Sequence, residues 1–224
     1  MPIPTHVVPN APSPNAKSRA AETIFQWIIE GVLVDGEKIR DQDIAQSLGV
    51  SRMPVREAFQ ILEAIGFIET TPNRATRVSP LQQKDIVPLY KTIARLEALG
   101  LETTMDPVRP ETIEELYTLN HRFQQALDQK DVRAILERDQ AFHNRLVAGD
   151  GNRFCQQALS PLKMTAARYE HRYFSELQPL GTNSSTEHRM ILEALVQHNI
   201  PRAQEILTQN WLRTADALQA RYAN

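Results

Sequence analysis

Apolar residues begin to recur at helical spacing near Lys17, run through Ile24, Trp27 and Ile28, and stop around Gly31. Asp35-Gly36 reads as a turn. A short helix follows: Asp41 is placed to cap it, Ile44, Ala45 and Leu48 form its apolar face, and Gly49 ends it. Ser51 is placed to cap a longer helix, in which Val55, Ala58, Phe59, Leu62 and Ile65 repeat and which Gly66 closes. Pro54 lies in its first turn, where a missing N–H leaves no intrahelical bond unmade. Residues 67–70 and 76–78 read as two short strands, with Pro72-Asn73 in the tight connection between them.

After Leu81 the strand signal is gone. Six amphipathic stretches follow, at 82–104, 109–129, 131–148, 152–178, 184–198 and 200–222. Asp106-Pro107, Gly149-Asp150-Gly151, residues 181–185 and Ile200-Pro201 punctuate them. Pro161 falls inside the fourth and predicts a kink there. The division that follows is a disordered arm over 1–16, which holds five prolines, a first domain over 17–78, a linker over 79–81 and an all-helical domain over 82–222. The fold class is mainly α: a winged helix-turn-helix followed by a six-helix antiparallel bundle.

A hydrophobic content of 42% is ordinary for a globular chain with a real core. The formal charge of −2 gives no electrostatic sign of nucleic acid, so a DNA-binding claim rests on local geometry. One cysteine, Cys155, excludes an intrachain disulfide and reads as a small buried hydrophobe. The N-terminus has neither the basic start nor the apolar core of a signal peptide, and no run approaches membrane-spanning length. The expectation is a soluble, cytoplasmic protein.

Two helices joined by Gly49-Val50-Ser51 have helix-turn-helix spacing, and the second would enter a major groove N-terminus first. Arg52 and Arg56 lie one turn apart, off the apolar stripe, where arginine can grip guanine O6 and N7 or hold a phosphate. Either arginine alone is better explained as a solvated side chain. The short capped helix, the three-residue turn, the Ser-Arg opening and a basic hairpin together outweigh that explanation. In the hairpin Asn73, Arg74 and Arg77 are placed for backbone or minor-groove contact, and are equally explained as exposed turn residues.

In the helical half, Asp139 and His143 stand at i and i+4 on an apolar face with Val132, Ile135, Leu136, Leu146 and Val147. His188 shares a face with Ile191, Leu192 and Leu195, and Asn210 one with Ala203, Ile206 and Leu207. A carboxylate in a dry core needs a partner or a metal. Asp with two His suits a divalent ion with open positions. Spacing leaves that reading and a metal-free Asp–His hydrogen bond both open.

The run Asp43-Ile44-Ala45 to Leu48-Gly49-Val50-Ser51-Arg52-Met53-Pro54-Val55-Arg56-Glu57-Ala58, then Leu62-Glu63 and Gly66-Phe67-Ile68, resembles the GntR family of bacterial regulators. The resemblance implies a winged helix, dimeric binding to a near-palindromic operator, and DNA contacts from Ser51, Arg52, Pro54, Arg56 and the wing. Ala75 departs from the glycine usual after Asn-Arg, which limits positive φ at the wing tip. Asp139-x-x-x-His143 and Glu187-His188-Arg189-x-Ile191-Leu192-Glu193-Ala194-Leu195 resemble the FCD-type effector domain of the FadR subgroup, over essentially all of 81–222.

This second resemblance implies a divalent metal held by one Asp and three His, completed by an effector that is often a small organic acid. Zinc is the foremost ion, with nickel and manganese as alternatives. Asp139, His143 and His188 match the set, and Asn210 stands where the third histidine is usual. Tyr90, Ile93 and Glu97 would line the effector pocket. The family often has an arginine where Ile93 stands, so the wall is apolar here and opens to a less charged or more hydrophobic ligand. The expected function is a homodimeric, metabolite-controlled repressor and not an enzyme. Rival readings are a metal-dependent hydrolase, which lacks an evident glutamate general base, a direct metal sensor, and a purely structural metal site.

Overall fold

The computed structural model describes residues 16–71, 75–104, 109–148, 152–174 and 181–222. The predicted disordered arm lies outside the described residues except for Ala16, which begins the first helix. The chain divides into two units, Met1–Pro80 and Leu81–Asn224.

The first unit runs α1 (Ala16–Ile29), β1 (Lys38–Ile39), α2 (Asp41–Leu48), α3 (Arg52–Ala64), β2 (Ile68–Thr71) and β3 (Ala75–Val78). Helices α1 and α2 both pack on α3. Ala20, Ala21, Ile24 and Ile28 form the buried face of α1, at the three- and four-residue steps that bring side chains to one side. Val55, Ala58, Phe59 and Leu62 answer from α3. Ile24, Val55, Leu62 and Phe67 are almost wholly buried, each stabilising the unit by about 1.5–3 kcal/mol. Gly49 closes α2 at φ 65, a left-handed conformation that glycine adopts without a Cβ clash, and so turns the chain into α3.

The sheet has strand order β1-β3-β2, antiparallel throughout, with Ile68 opposite Val78 and Lys38 opposite Arg77. Ile39, Ile68 and Val78 turn inward, and the Phe25 and Phe67 rings meet at 5.0 Å. Strand β1 was not expected: two residues are too few to show a period-2 pattern. Asp41 is also corrected. It is the first residue of α2, Arg40 occupies the cap position, and no side chain caps that end. Ser51 does hold the cap position of α3, with extended backbone, but its hydroxyl makes no cap hydrogen bond.

The second unit is α4 (Gln83–Thr104), α5 (Pro110–Gln129), α6 (Val132–Leu146), α7 (Arg153–Phe174), α8 (Gly181–Val196) and α9 (Ile200–Tyr222). Helix α4 packs on α7 and α9, α5 on α6 and α8, and α8 on α9. Their stripes meet in a main core that includes Tyr90, Ile93, Leu101, Phe142, Tyr169, Leu192 and Leu207, and Phe123, Ala126, Leu127 and Ile135 form a second cluster between α5 and α6. Asp131 caps α6 by accepting from the Ala134 N–H at 3.0 Å. Helix α7 runs on through Pro161, and α4 holds a second internal proline, Pro88. Cys155 is buried and its thiol donates to the Leu96 carbonyl at 2.9 Å. Gly100 lets α4 approach closely: a Cβ there would lie 3.1 Å from the Val147 Cβ.

Candidate functional site

In the first unit the exposed face of α3 carries Arg52 and Arg56, whose side chains keep 53% and 61% of their surface. Both guanidinium groups turn to one acid. Arg52 donates to the Asp41 carboxylate through Nε at 3.2 Å and Nη2 at 2.9 Å, and Arg56 donates through Nε at 2.6 Å. Burial raises the Asp41 carboxyl, but the two guanidinium groups outweigh it and hold the group below the ordinary 3.8.

Ser51 is exposed at the head of the same helix. Pro54, expected against DNA, is buried, because its ring turns to the same side as Val55 and Ala58. That leaves it a packing role. Met53 and Val50, neither singled out from the sequence, are exposed beside the arginines at 58% and 36%. A large apolar residue lying off the buried stripe was the signal that marks them. On β3 Arg77 is exposed and donates to the Gly36 carbonyl at 2.9 Å. Asn73 and Arg74 lie outside the described residues.

In the second unit, ligand atoms of Asp139, His143 and His188 all lie within 4.8 Å of one another. His188 Nε2 is 3.5 Å from Asp139 Oδ1, and His143 Nε2 is 3.9 Å from Asp139 Oδ2. Two donors each about 2.1 Å from a tetrahedral ion stand roughly 3.4 Å apart, so the Asp139–His188 pair is near that spacing and the group as a whole would draw inward around an ion. The histidines are buried, while Asp139 keeps 28% of its side-chain surface.

Hydrogen bonds at Nδ1 of both rings leave Nε2 of each as the atom near Asp139. Glu97 is buried and its Oε2 meets His143 Nδ1 at 2.8 Å and the Trp211 indole N–H at 2.6 Å. Burial raises the Glu97 carboxyl, but Lys163 and His143 pull it down to about 2. An ionised carboxylate only accepts, so Nδ1 carries a hydrogen and Nε2 is the atom left for Asp139 or an ion. His143 is raised from 6.5: burial lowers it, and Glu97 more than compensates.

Asn120 donates from Nδ2 to the Ser185 carbonyl at 3.0 Å, which turns its Oδ1 toward His188 Nδ1 at 3.1 Å. That nitrogen must therefore donate, and His188 Nε2 is left buried with no hydrogen-bond partner among the described residues. Burial, then the neighbouring His143, holds His188 well below 6.5 and neutral. Phe142 stacks on its ring at 3.9 Å. A neutral His188 imidazole and a His143 ring whose Nε2 faces the same carboxylate fit a divalent ion, which would take the place of any proton on His143 Nε2.

The other expected residues fall around this group. Glu97 is not an open pocket wall: Lys163, buried on α7, forms an ion pair with its Oε1 and donates to Asn144 Oδ1 at 2.9 Å. The Tyr90 hydroxyl donates to Glu170 at 2.7 Å, and Ile93 is fully buried. Burial and the Asp139 charge push Glu170 up to about 7. Asn210 is buried, with its amide nitrogen donating to Glu187 at 2.8 Å, and Glu187 also pairs with Arg213. Lys163 and Asn120 were missed. Each stands on its helix's apolar stripe, Lys163 between Leu159 and Ala166 and Asn120 between Leu116 and Phe123. That is the same signal that marks Asp139.

Residues 16–78 match the family described as bacterial regulatory proteins, gntR family, and residues 88–212 match the FCD domain. The chain is 30% identical over 135 residues to the HTH-type transcriptional regulator YdhC of Bacillus subtilis, a match spanning 60% of each chain. It is 23% identical to the HTH-type transcriptional repressor GlaR of Escherichia coli, over 87% of this chain and 94% of that one. The solved structure of E. coli McbR/YncC shares the fold at a TM-score of 0.81 and 18% identity, covering 92% of this chain and 98% of its own. Among the described residues no helix is long and apolar enough to cross a membrane.

Proposed function

From the premise that the chain belongs to the GntR family of bacterial transcriptional regulators, with a DNA-binding helix-turn-helix and an FCD domain, we propose that it is a cytoplasmic, homodimeric repressor released by a small metabolite. Helix α3 reads a near-palindromic operator with Arg52 and Arg56, and Ser51, Arg77, Asn73 and Arg74 serve as backbone contacts. In the second unit Asp139, His143 and His188 would hold a divalent ion, zinc by its match to a nitrogen-and-oxygen donor set, and it would supply a Lewis-acidic anchor for an effector oxygen.

One observation carries the reading. A buried, unpartnered imidazole nitrogen on α8 and an oriented one on α6 converge on the same carboxylate, and acceptors behind each ring fix Nε2 as the atom that faces it. A dry core does not retain such an arrangement cheaply without a cation. Ligand control requires the effector to bind the DNA-competent and DNA-released arrangements with different affinity.

The test has two parts. Metal analysis of the purified protein should find about one divalent ion per chain. The duplex that the protein selects from a randomised library should then lose affinity when candidate metabolites are titrated in. No response to any metabolite would overturn effector control, and affinity that tracks metal alone would make the ion itself the signal.

A further inference from the structure

Asp41 does something that helix capping does not require. Its carboxylate bridges α2 to α3 and is shared by the two arginines assigned to base reading. Arg52 spends its Nε–Nη2 side on the acid, and Arg56 spends its Nε. The outward edge of each guanidinium, between Nη1 and Nη2, has no further partner among the described residues. That edge can take a guanine bidentately through O6 and N7. Asp41 keeps only 17% of its side-chain surface, whereas both arginines stay more than half exposed, so the acid lies behind the fan and not in front of it.

We propose that Asp41 is the specificity-setting positioning residue of this reading head. It holds Arg52 and Arg56 as one pre-oriented pair, and its charge offsets their attraction to phosphate. Base contacts keep their value because the side chains are ordered before binding. Phosphate contacts lose value because the local cation is partly neutralised. The partner is a major-groove site presenting guanines about one helical turn of α3 apart. The proposal rests on α3 being the recognition helix.

The experiment uses the full chain and two duplexes: the one wild-type protein selects from a randomised library, and a scrambled duplex of equal composition. Affinity is measured by fluorescence anisotropy across a salt series. For Asp41→Asn the selected-to-scrambled affinity ratio should fall about tenfold, chiefly through tighter binding of the scrambled duplex. The salt slope on that duplex should steepen by about one. Asp41→Glu should restore most of the ratio. Equal loss on both duplexes, or an unchanged ratio, overturns the proposal and leaves Asp41 as a staple between helices. If Arg52→Ala and Arg56→Ala also leave the ratio unchanged, the recognition-helix reading itself falls. Where Asp41→Asn lowers helix content, Asp41→Glu against Asp41→Gln repeats the comparison with charge as the one difference.

Discussion

Glu97→Gln separates the two duties of the buried network. The carboxylate serves three donors: Lys163 at Oε1, and His143 and Trp211 at Oε2. An amide has one oxygen and one NH₂. With the oxygen toward His143 and Trp211, the NH₂ faces the Lys163 ammonium and leaves a buried cation unpaired. Breaking a buried pair in this way costs about 3–5 kcal/mol. For a unit the size of Leu81–Asn224 each kcal/mol moves the midpoint by about 3 °C, so Tm should fall by about 10–15 °C. With the amide flipped, His143 Nδ1 faces a donor and becomes the acceptor. The hydrogen then moves to Nε2, where the metal lone pair belongs.

Either outcome weakens the hold on the ring, and zinc affinity should drop about 10–100-fold. Thermal unfolding in chelator reads the first effect, and competition against a chromophoric chelator reads the second. Adding Lys163→Met removes the stranded cation, so the double variant should regain most of the lost Tm and none of the lost zinc affinity. A Glu97→Gln protein melting within about 3 °C of wild type would refute the reasoning. So would a Lys163→Met change that deepens the loss in the double variant.

Arg52→Ala and Arg56→Ala should each weaken binding to the selected duplex by about 1–3 kcal/mol in anisotropy titrations, and unchanged affinity for both would remove α3 as the reader. His143→Ala and His188→Ala should each lower zinc stoichiometry by elemental analysis, whereas full retention would show the ligand set to be wrong. Glu170 tests the pH dependence. Its folded pKa of about 7 lies above the ordinary 4.5, so the folded state keeps a proton that the unfolded chain releases. That contribution is complete below pH 4.5 and is lost as pH rises through 7. Metal-free Glu170→Gln should therefore match wild type near pH 4.5 and be more stable above pH 7, by up to about 3 kcal/mol, and parallel Tm–pH curves would contradict it.

Legibility followed sequence distance. The long helices α4 to α9 show in the sequence because a stripe repeating every three or four residues persists over many turns. The Asp139–His143 pair is visible because i and i+4 fall on one face by helix geometry alone. Glu97 and Lys163 were not visible as a pair. They come from α4 and α7, and no local pattern says which inward polar group on one helix meets which on another. Asp41 misled for a different reason. An acid before a helix looks the same whether it caps that helix or reaches across to the next, and only the two arginine contacts decide. Pro54 carried the same ambiguity, since a first-turn proline can face solvent or core and here faces the core.

The charges inside the bundle explain why these residues can coexist in a packed core. Glu97 is matched by Lys163 and further held by the His143 and Trp211 N–H donors, so that half of the network is balanced without any ion. Asp139 is not balanced. Its nearest ligating neighbours are imidazoles, one of them kept neutral by burial, and burial raises its own carboxyl above the ordinary 3.8. A carboxylate in that position gains from a cation beside it. A proton on Asp139 could satisfy one imidazole nitrogen, and meeting the other takes a second proton on His143 Nε2. A divalent ion accepts from all three groups at once and needs neither proton, so the Nε2 atoms left toward Asp139 by the Glu97 and Asn120 hydrogen bonds suit a metal.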